Sequence, residues 1–241
     1  MNRFNVIKQV ADAVKCKTYM EIGVKSGEIF FQVKCPLKIA VDPCFNFSAW
    51  QRFKRRFILR LLTGNRELFF EKTSDDFFAN HSKELSGGID LAFIDGLHTH
   101  AQVMRDVQNT MKYLNPHGVI ILHDCSPLNE AGAWPVKNLI GEVLELAAKG
   151  KINGWNGTWN GDVWKAVVQL RSELKDYNLF TLDLDWGLGI LTRGKMEKNL
   201  SFNPAEIERM TYSDLEKQRE LFLNLKHPAY LGEFLKQLTV Q

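Results

Sequence analysis

Two short stretches crowd titratable side chains together: Asp95-Gly96-Leu97-His98 and His123-Asp124. Each follows a run of apolar residues, Leu91-Ala92-Phe93-Ile94 and Val119-Ile120-Ile121-Leu122, of the kind that forms a strand buried on both faces. Carboxylate oxygens at Asp95 and Asp124 could hold a hard divalent cation such as Mg²⁺. Such a cation would make a substrate hydroxyl more acidic. His98 is the preferred general base, because an imidazole exchanges protons near neutral pH; the alternative is a hydrogen bond that only fixes the Asp95 loop. His123 is the second catalytic candidate, with local packing at a strand end as its alternative. Cys125, beside Asp124, reads as a small buried residue rather than a nucleophile.

A third stretch, Glu21-Ile22-Gly23-Val24-Lys25-Ser26-Gly27, has glycines where a backbone must come close to something. Nineteen residues after Gly23, Asp42 ends the next apolar run, Lys38-Ile39-Ala40-Val41, where a carboxylate can accept both hydroxyl protons of a ribose. The turn lacks the G-x-G-x-x-G of a dinucleotide site and carries Glu21 at the strand end. An acidic group there suits a ligand with an amino group and a sulfonium better than one with phosphates. Together these features favour S-adenosylmethionine over NAD.

Positioning these residues requires strands alternating with helices. Val6, Val10, Ala13 and Val14 recur at helical spacing; strands follow at 19–22, 38–42, 68–70 and 90–95; a helix spans His100 to Leu114; and 119–122 is a further strand. A helix is expected from Ala131 to Lys149, and another from near Asp162. Leu179–Leu184 and Leu188–Thr192 read as a terminal strand pair. This order implies a doubly wound α/β fold with ligands at the carboxyl ends of the strands. Glu21, Asp42, Asp95 and Asp124 all fall at such ends. From Lys195 onward the chain is charged and helical in pattern, with a break at His227-Pro228.

The composition sets bounds on partners. With 31 Lys and Arg against 28 Asp and Glu, the chain is too balanced for a general nucleic-acid binder. Cys16, Cys35, Cys44 and Cys125 form neither a CxxC pair nor a zinc spacing, which suits a reducing cytoplasm. The sequence after Met1 lacks the apolar stretch of a secretory signal, and no run approaches a membrane span. One basic helix stands out. Over Gln51–Arg60, Arg52, Arg56 and Arg60 share one stripe and Phe53 and Phe57 another, giving either a solvated face or a cap for a phosphate or carboxylate. Trp155 and Trp159, in a Gly/Asn/Trp loop, either stack on an acceptor or anchor the loop.

The sequence resembles the class I methyltransferases, specifically the bacterial small-molecule branch called methyltransferase family 24. The resemblance covers roughly residues 1 to 193 and rests on Tyr19–Gly27, Val41-Asp42-Pro43, Thr73–Phe78, Phe93–His100 and Gly118–Asp124. It implies a Rossmann-like methyltransferase fold: a mostly parallel seven-stranded sheet in residues 1–194, with a helical extension over 195–241. By the same likeness Gly23 and Gly27 would line the methionine side, Asp42 would hold the ribose, Ser74 and Asp75 would approach the adenine, and Asp95 would face cofactor or substrate. Related sugar enzymes hold Mg²⁺ with acidic residues in this region, where this sequence has His98 and His123. The resemblance implies methyl transfer to a small-molecule hydroxyl, with a hydroxylase-like relative or a non-catalytic binding protein of the same fold as alternatives. A homo-oligomer is compatible with it.

Overall fold

The computed structural model describes residues 1–136 and 140–240. The fold is α/β with a mostly parallel sheet, as expected, but the sheet has eight strands rather than seven. In chain order the elements are α1 (Arg3–Ala13), β1 (Thr18–Ile22), β2 (Leu37–Asp42), α2 (Ala49–Phe53), a π-helical turn (Lys54–Leu59), α3 (Arg60–Thr63), β3 (Arg66–Glu71), α4 (Ser74–Asn80), β4 (Ile89–Ile94), α5 (His100–Met111) and β5 (Leu114–Leu122). There follow α6 (Ile140–Ala148), α7 (Val163–Glu173), β6 (Tyr177–Leu182), β7 (Leu188–Arg193), α8 (Pro204–Arg209), α9 (Tyr212–Leu223), β8 (Leu225–Lys226) and α10 (Tyr230–Val240).

The chain forms two compact units. The first comprises residues 1–96, 105–121 and 231–241, and the second 97–104 and 122–230. In the first, β2 lies between β3 and β1, and β1 pairs with β4, all in parallel register. Every residue of β1 is buried, which is why the strand reads as an unbroken run rather than an alternating one. An ion cluster links β2 and β3: the buried Glu67 on β3 meets Lys38 on β2 at 2.8 Å and Arg55 at 2.6 Å. Burial pushes the Glu67 carboxyl up, but the bonds and charge of Arg55 and Lys38 outweigh it and hold it below the usual range.

In the second unit β6 and β7 pair antiparallel, joined by a turn in which Asp185, Trp186 and Gly187 all take positive φ. The eighth strand comes from the C-terminal segment. Asn224 ends α9 in the left-handed conformation, so Leu225–Lys226 drops parallel onto β6 opposite Thr181 and Leu182. Two residues are too few to show a periodicity. Arg171 on α7 is buried and donates to the Phe222 carbonyl at 2.9 Å and to those of Leu221 and Lys198, so it satisfies the end of α9.

Two helices differ from expectation. The helix expected over Ala131–Lys149 is observed at Ile140–Ala148; Ala131–Val136 is turn and loop, because Pro135 disfavours helix at Trp134, and 137–139 lie outside the described residues. The helix expected to reach Leu114 stops at Met111, and β5 already begins at Leu114. Pro116 is tolerated there because this first part of the strand is exposed.

Candidate active site

In the first unit the chain leaves β1 through Gly23 at φ +85°, whose amide donates to the Val41 carbonyl at 3.0 Å. A Cβ on Gly23 would lie 2.0 Å from the Asp95 carbonyl oxygen, so glycine is required by the close approach of the loop after β4. Asp95 itself donates its amide to the Ile22 carbonyl at 2.8 Å, tying the two strand ends together. Gly27, at φ +76°, makes room for the Phe31 ring, which a Cβ would meet at 2.3 Å. Both glycines therefore have a reason inside the protein for being glycine.

Asp42 organises this turn. Its Oδ2 accepts from the Lys25 amide at 2.8 Å and its Oδ1 from the Cys44 amide at 2.7 Å. Lys25 is held at φ +49°, a conformation that costs a non-glycine residue roughly 1–2 kcal/mol unless its surroundings impose it.

Glu21 is 2 % exposed and accepts a hydrogen bond from the Tyr19 hydroxyl at 2.5 Å. Burial pushes its carboxyl up to about 8; Asp95 adds to the rise, and the Tyr19 bond opposes it. At neutral pH Glu21 is therefore mostly protonated. That weakens the argument that its negative charge attracts a sulfonium.

Ser74 opens α4 and is buried, while Thr73 caps the helix by accepting from the Asp76 amide. The Asp75 carboxylate pairs with Arg105 at 3.3 Å on the surface.

In the second unit Asp124 gathers a cluster. It sits just past β5 at φ +60°, outside the regions that non-glycine residues ordinarily occupy. Its Oδ2 faces His98 Nε2 at 3.2 Å and His123 Nδ1 at 2.9 Å, and its Oδ1 accepts from Asn160 Nδ2 at 2.5 Å. His98 Nδ1 lies 3.3 Å from the Trp159 carbonyl, and the Trp159 ring stacks on the imidazole with centroids 5.4 Å apart. A carbonyl can only accept, so Nδ1 carries the proton in that contact, and a neutral His98 presents its Nε2 lone pair toward Asp124. Two acceptors in that arrangement call for a proton or a cation between them.

His123 is buried. Its Nε2 is 3.9 Å from Asp185, and the ring stands edge-on to Trp186 at 6.2 Å. Among the expected residues, then, His98, His123 and Asp124 are brought together in the second unit, and Glu21, Gly23, Asp42 and Asp95 at the strand ends of the first.

Residues 20–125 match a family model described as a methyltransferase domain. This stretch is similar to a methyltransferase domain. It contains both the glycine turn and the His98–Asp124 contact. A search of curated protein sequences finds no match. Among solved structures, a protein from Staphylococcus aureus described as a putative caffeoyl-CoA O-methyltransferase is 16% identical with a TM-score of 0.52, over 79% of this chain and 82% of its own. The Podospora anserina methyltransferase PaMTH1, solved with S-adenosylhomocysteine, is 16% identical with a TM-score of 0.50, over 81% of this chain and 80% of its own. At such identities the likeness is one of fold.

Around this matched stretch the sequence reading missed contributions from three segments. Asn160 sits in the Gly/Asn/Trp loop, where the tryptophans drew attention first; Trp159 anchors that loop by donating Nε1 to the Trp134 carbonyl at 2.8 Å. Asp185 and Trp186 looked like an ordinary hairpin turn, yet the Trp186 and Gly187 carbonyls accept from the Ser126 and Cys125 amides and hold the segment after Asp124. Arg219 of α9 donates to Ser126 Oγ at 2.8 Å, and Tyr212 donates to the Leu128 carbonyl at 2.9 Å. No sequence motif announces a C-terminal helix reaching that segment.

Proposed function

We propose that the chain is an S-adenosylmethionine-dependent methyltransferase that methylates a hydroxyl of a small-molecule acceptor, a sugar or other metabolite. The observation that carries this reading is the turn of residues 21–27, whose backbone Asp42 holds in shape at the carboxyl end of β2, within the matched methyltransferase domain. On this reading Asp42 also bonds the ribose hydroxyls, Gly23 and Gly27 form the methionine side, and Ser74 and Asp75 border the adenine. Asp95 faces the reacting groups, and Glu21 supports the turn from beneath as a neutral acid.

His98 takes the acceptor's proton. Its Nδ1–H is directed to the Trp159 carbonyl and its ring is backed by Trp159, which leaves Nε2 to receive the proton beside the Asp124 carboxylate. The acceptor oxygen forms its bond to the methyl carbon as the carbon–sulfur bond breaks, and S-adenosylhomocysteine leaves. In-line alignment of donor and acceptor accounts for much of the acceleration. His123 steadies Asp124 from the far side of its Oδ2. Residues 195–241 serve as an extension that fixes the acceptor-side segment through Arg219.

The same residues fit a divalent cation, because a nitrogen lone pair and a carboxylate oxygen converge 3.2 Å apart. Asp124 would hold it with His98 as a nitrogen ligand, in which case Nε2 would be taken by the cation and would not serve as the base; this mixed donor set suits Mn²⁺ or Fe²⁺ as well as Mg²⁺. Bound there, it would supply positive charge that makes the acceptor hydroxyl more acidic.

The test is incubation of the purified protein and S-adenosylmethionine with a metabolite extract, followed by mass spectrometry for a compound that gains one methyl group. Tight cofactor binding with no methylated product from any extract would instead support a non-catalytic binding protein.

A further inference from the structure

Between β2 and β3 lies a helical segment with an unusual balance of side chains. From Pro43 to Arg66 the chain carries six of its 31 Lys and Arg and none of its 28 Asp and Glu, so the remainder of the protein is net acidic. Neither α2 nor α3 buries a single residue. Trp50, Phe53, Phe57, Ile58, Leu61 and Leu62 are all exposed, Leu61 at 87%, Leu62 at 78% and Trp50 at 65%. Their spacing, i, i+3, i+7, i+8, i+11 and i+12, sets them on one side of the helix. Ring contacts along it agree: Trp50 stacks on Phe53 at 5.6 Å, and Phe53 meets Phe57 at 4.8 Å.

The attachment to the first unit uses the other side. Arg52 pairs with Glu71 at 2.7 Å and Arg55 with Glu67 at 2.6 Å, and Arg55 lies over the Phe31 ring. Ile58 and Leu62, at the edge of the stripe, also border an open groove of about 330 Å³ with Phe31, Gln51, Lys54 and Arg55. Lys54, Arg56, Arg60 and Arg66 remain exposed around the apolar stripe.

We propose that this segment docks on an anionic lipid surface, with the stripe from Trp50 to Leu62 entering the headgroup boundary and the four exposed cations meeting lipid phosphates. An exposed apolar stripe ringed by cations, with aromatic side chains and no acids, is the composition of a helix that lies in a membrane interface. A second copy of the chain fits less well. An isologous contact would bring the same cations together, with no carboxylate in the segment to oppose them. No helix among the described residues is long and apolar enough to cross a membrane, so the attachment would be peripheral. The proposal is independent of the reaction assigned above.

The test uses the full chain with phosphatidylcholine vesicles prepared with and without phosphatidylglycerol, read by flotation. Expected is binding to the anionic vesicles that is about tenfold or more weaker on neutral ones and falls with added salt. Leu61→Asn with Leu62→Asn, and separately Arg56→Glu with Arg60→Glu, should each abolish flotation while circular dichroism and thermal melting stay unchanged, since these side chains are exposed. The charge-matched control Lys8→Glu with Lys195→Glu should float as the unaltered protein does. Absence of flotation, equal binding to neutral vesicles, or loss of binding in the control would overturn the proposal. So would a stable dimer in light scattering that the Leu61 and Leu62 substitutions dissociate, which would assign the stripe to a second copy.

Discussion

Asp42 accepts a hydrogen bond from the Lys25 backbone amide at 2.8 Å, so the residue expected to hold a ribose also fixes the glycine turn. Its other oxygen bonds the Cys44 amide. Asp42→Ala removes two charge-assisted bonds, each contributing about 1.5–3 kcal/mol, and frees Lys25 from a conformation it would not otherwise keep. Both a lower melting temperature and a cofactor affinity reduced at least tenfold to a hundredfold are expected. Asp42→Asn, which retains one acceptor for Lys25, should recover most of the stability but less of the affinity. Calorimetric titration and melting of the same two variants separate the roles; equal recovery of both would assign Asp42 to the turn alone.

Gly23→Ala should be among the most damaging single substitutions in the chain. The added methyl would stand 2.0 Å from a backbone carbonyl, and φ +85° is itself unfavourable for alanine. Neither neighbour can give way without parting the loop ends of β1 and β4, so a loss of several kcal/mol or failure to fold is expected. Wild-type stability in denaturant titration would show that the loop after Ile94 is far more yielding than its bonding implies.

Much of this was legible before any coordinates. The strand ends bearing Glu21, Asp42, Asp95 and Asp124 stood out because fully buried parallel strands leave uninterrupted apolar runs, and a charged residue marks where each run emerges. The eighth strand and the Arg219 contact were not legible, since a two-residue strand has no period and a long-range bond to Ser126 leaves no local trace. At Gly23 and Gly27 sequence says only that a backbone comes close to something; the neighbours are the Asp95 carbonyl and the Phe31 ring.

Stability should depend on pH through Glu21. Its folded carboxyl sits at about 8 against an ordinary 4.5, so the folded state binds the proton more tightly than the unfolded chain. A raised value of this kind contributes stability that is complete below about 4.5 and is lost as pH rises toward 8. Denaturant midpoints should therefore decline across that window, by an amount on the order of a few kcal/mol. Glu21→Gln, which keeps the shape and cannot ionise, should flatten the decline. An unchanged slope would show that Glu21 is already ionised in the folded protein.

The cation reading predicts that excess chelator suppresses turnover while leaving cofactor affinity nearly intact, and that one of Mg²⁺, Mn²⁺ or Fe²⁺ restores it. Asp124→Asn should raise the cation concentration needed, because a neutral amide replaces a charged oxygen ligand. Direct metal analysis of the dialysed protein offers a readout free of turnover. Full activity in chelator, with no metal retained, would leave His98 and Asp124 to handle the proton alone.

The two histidines around Asp124 should part company when each is replaced. His98 is partly exposed, backed by Trp159, and offers Nε2 beside the carboxylate; His123 is buried between Asp124 and Asp185. If His98 takes the acceptor proton, His98→Gln should lose roughly 10² to 10⁴ in rate while cofactor affinity and melting temperature change little. His123→Gln should do the reverse. Removing a buried imidazole leaves the Asp124 carboxylate short of a donor, so stability should fall by about 1–3 kcal/mol while the folded fraction keeps much of its activity. Asn160→Ala takes away the donor to the other oxygen of Asp124 and should resemble His123→Gln in melting, with an added loss in rate as the carboxylate swings away from His98. Single-turnover rates set beside melting curves for the three variants decide the matter. A His98→Gln protein that is unstable yet fully active per folded molecule would make His98 a structural residue and move the search for the base to His123.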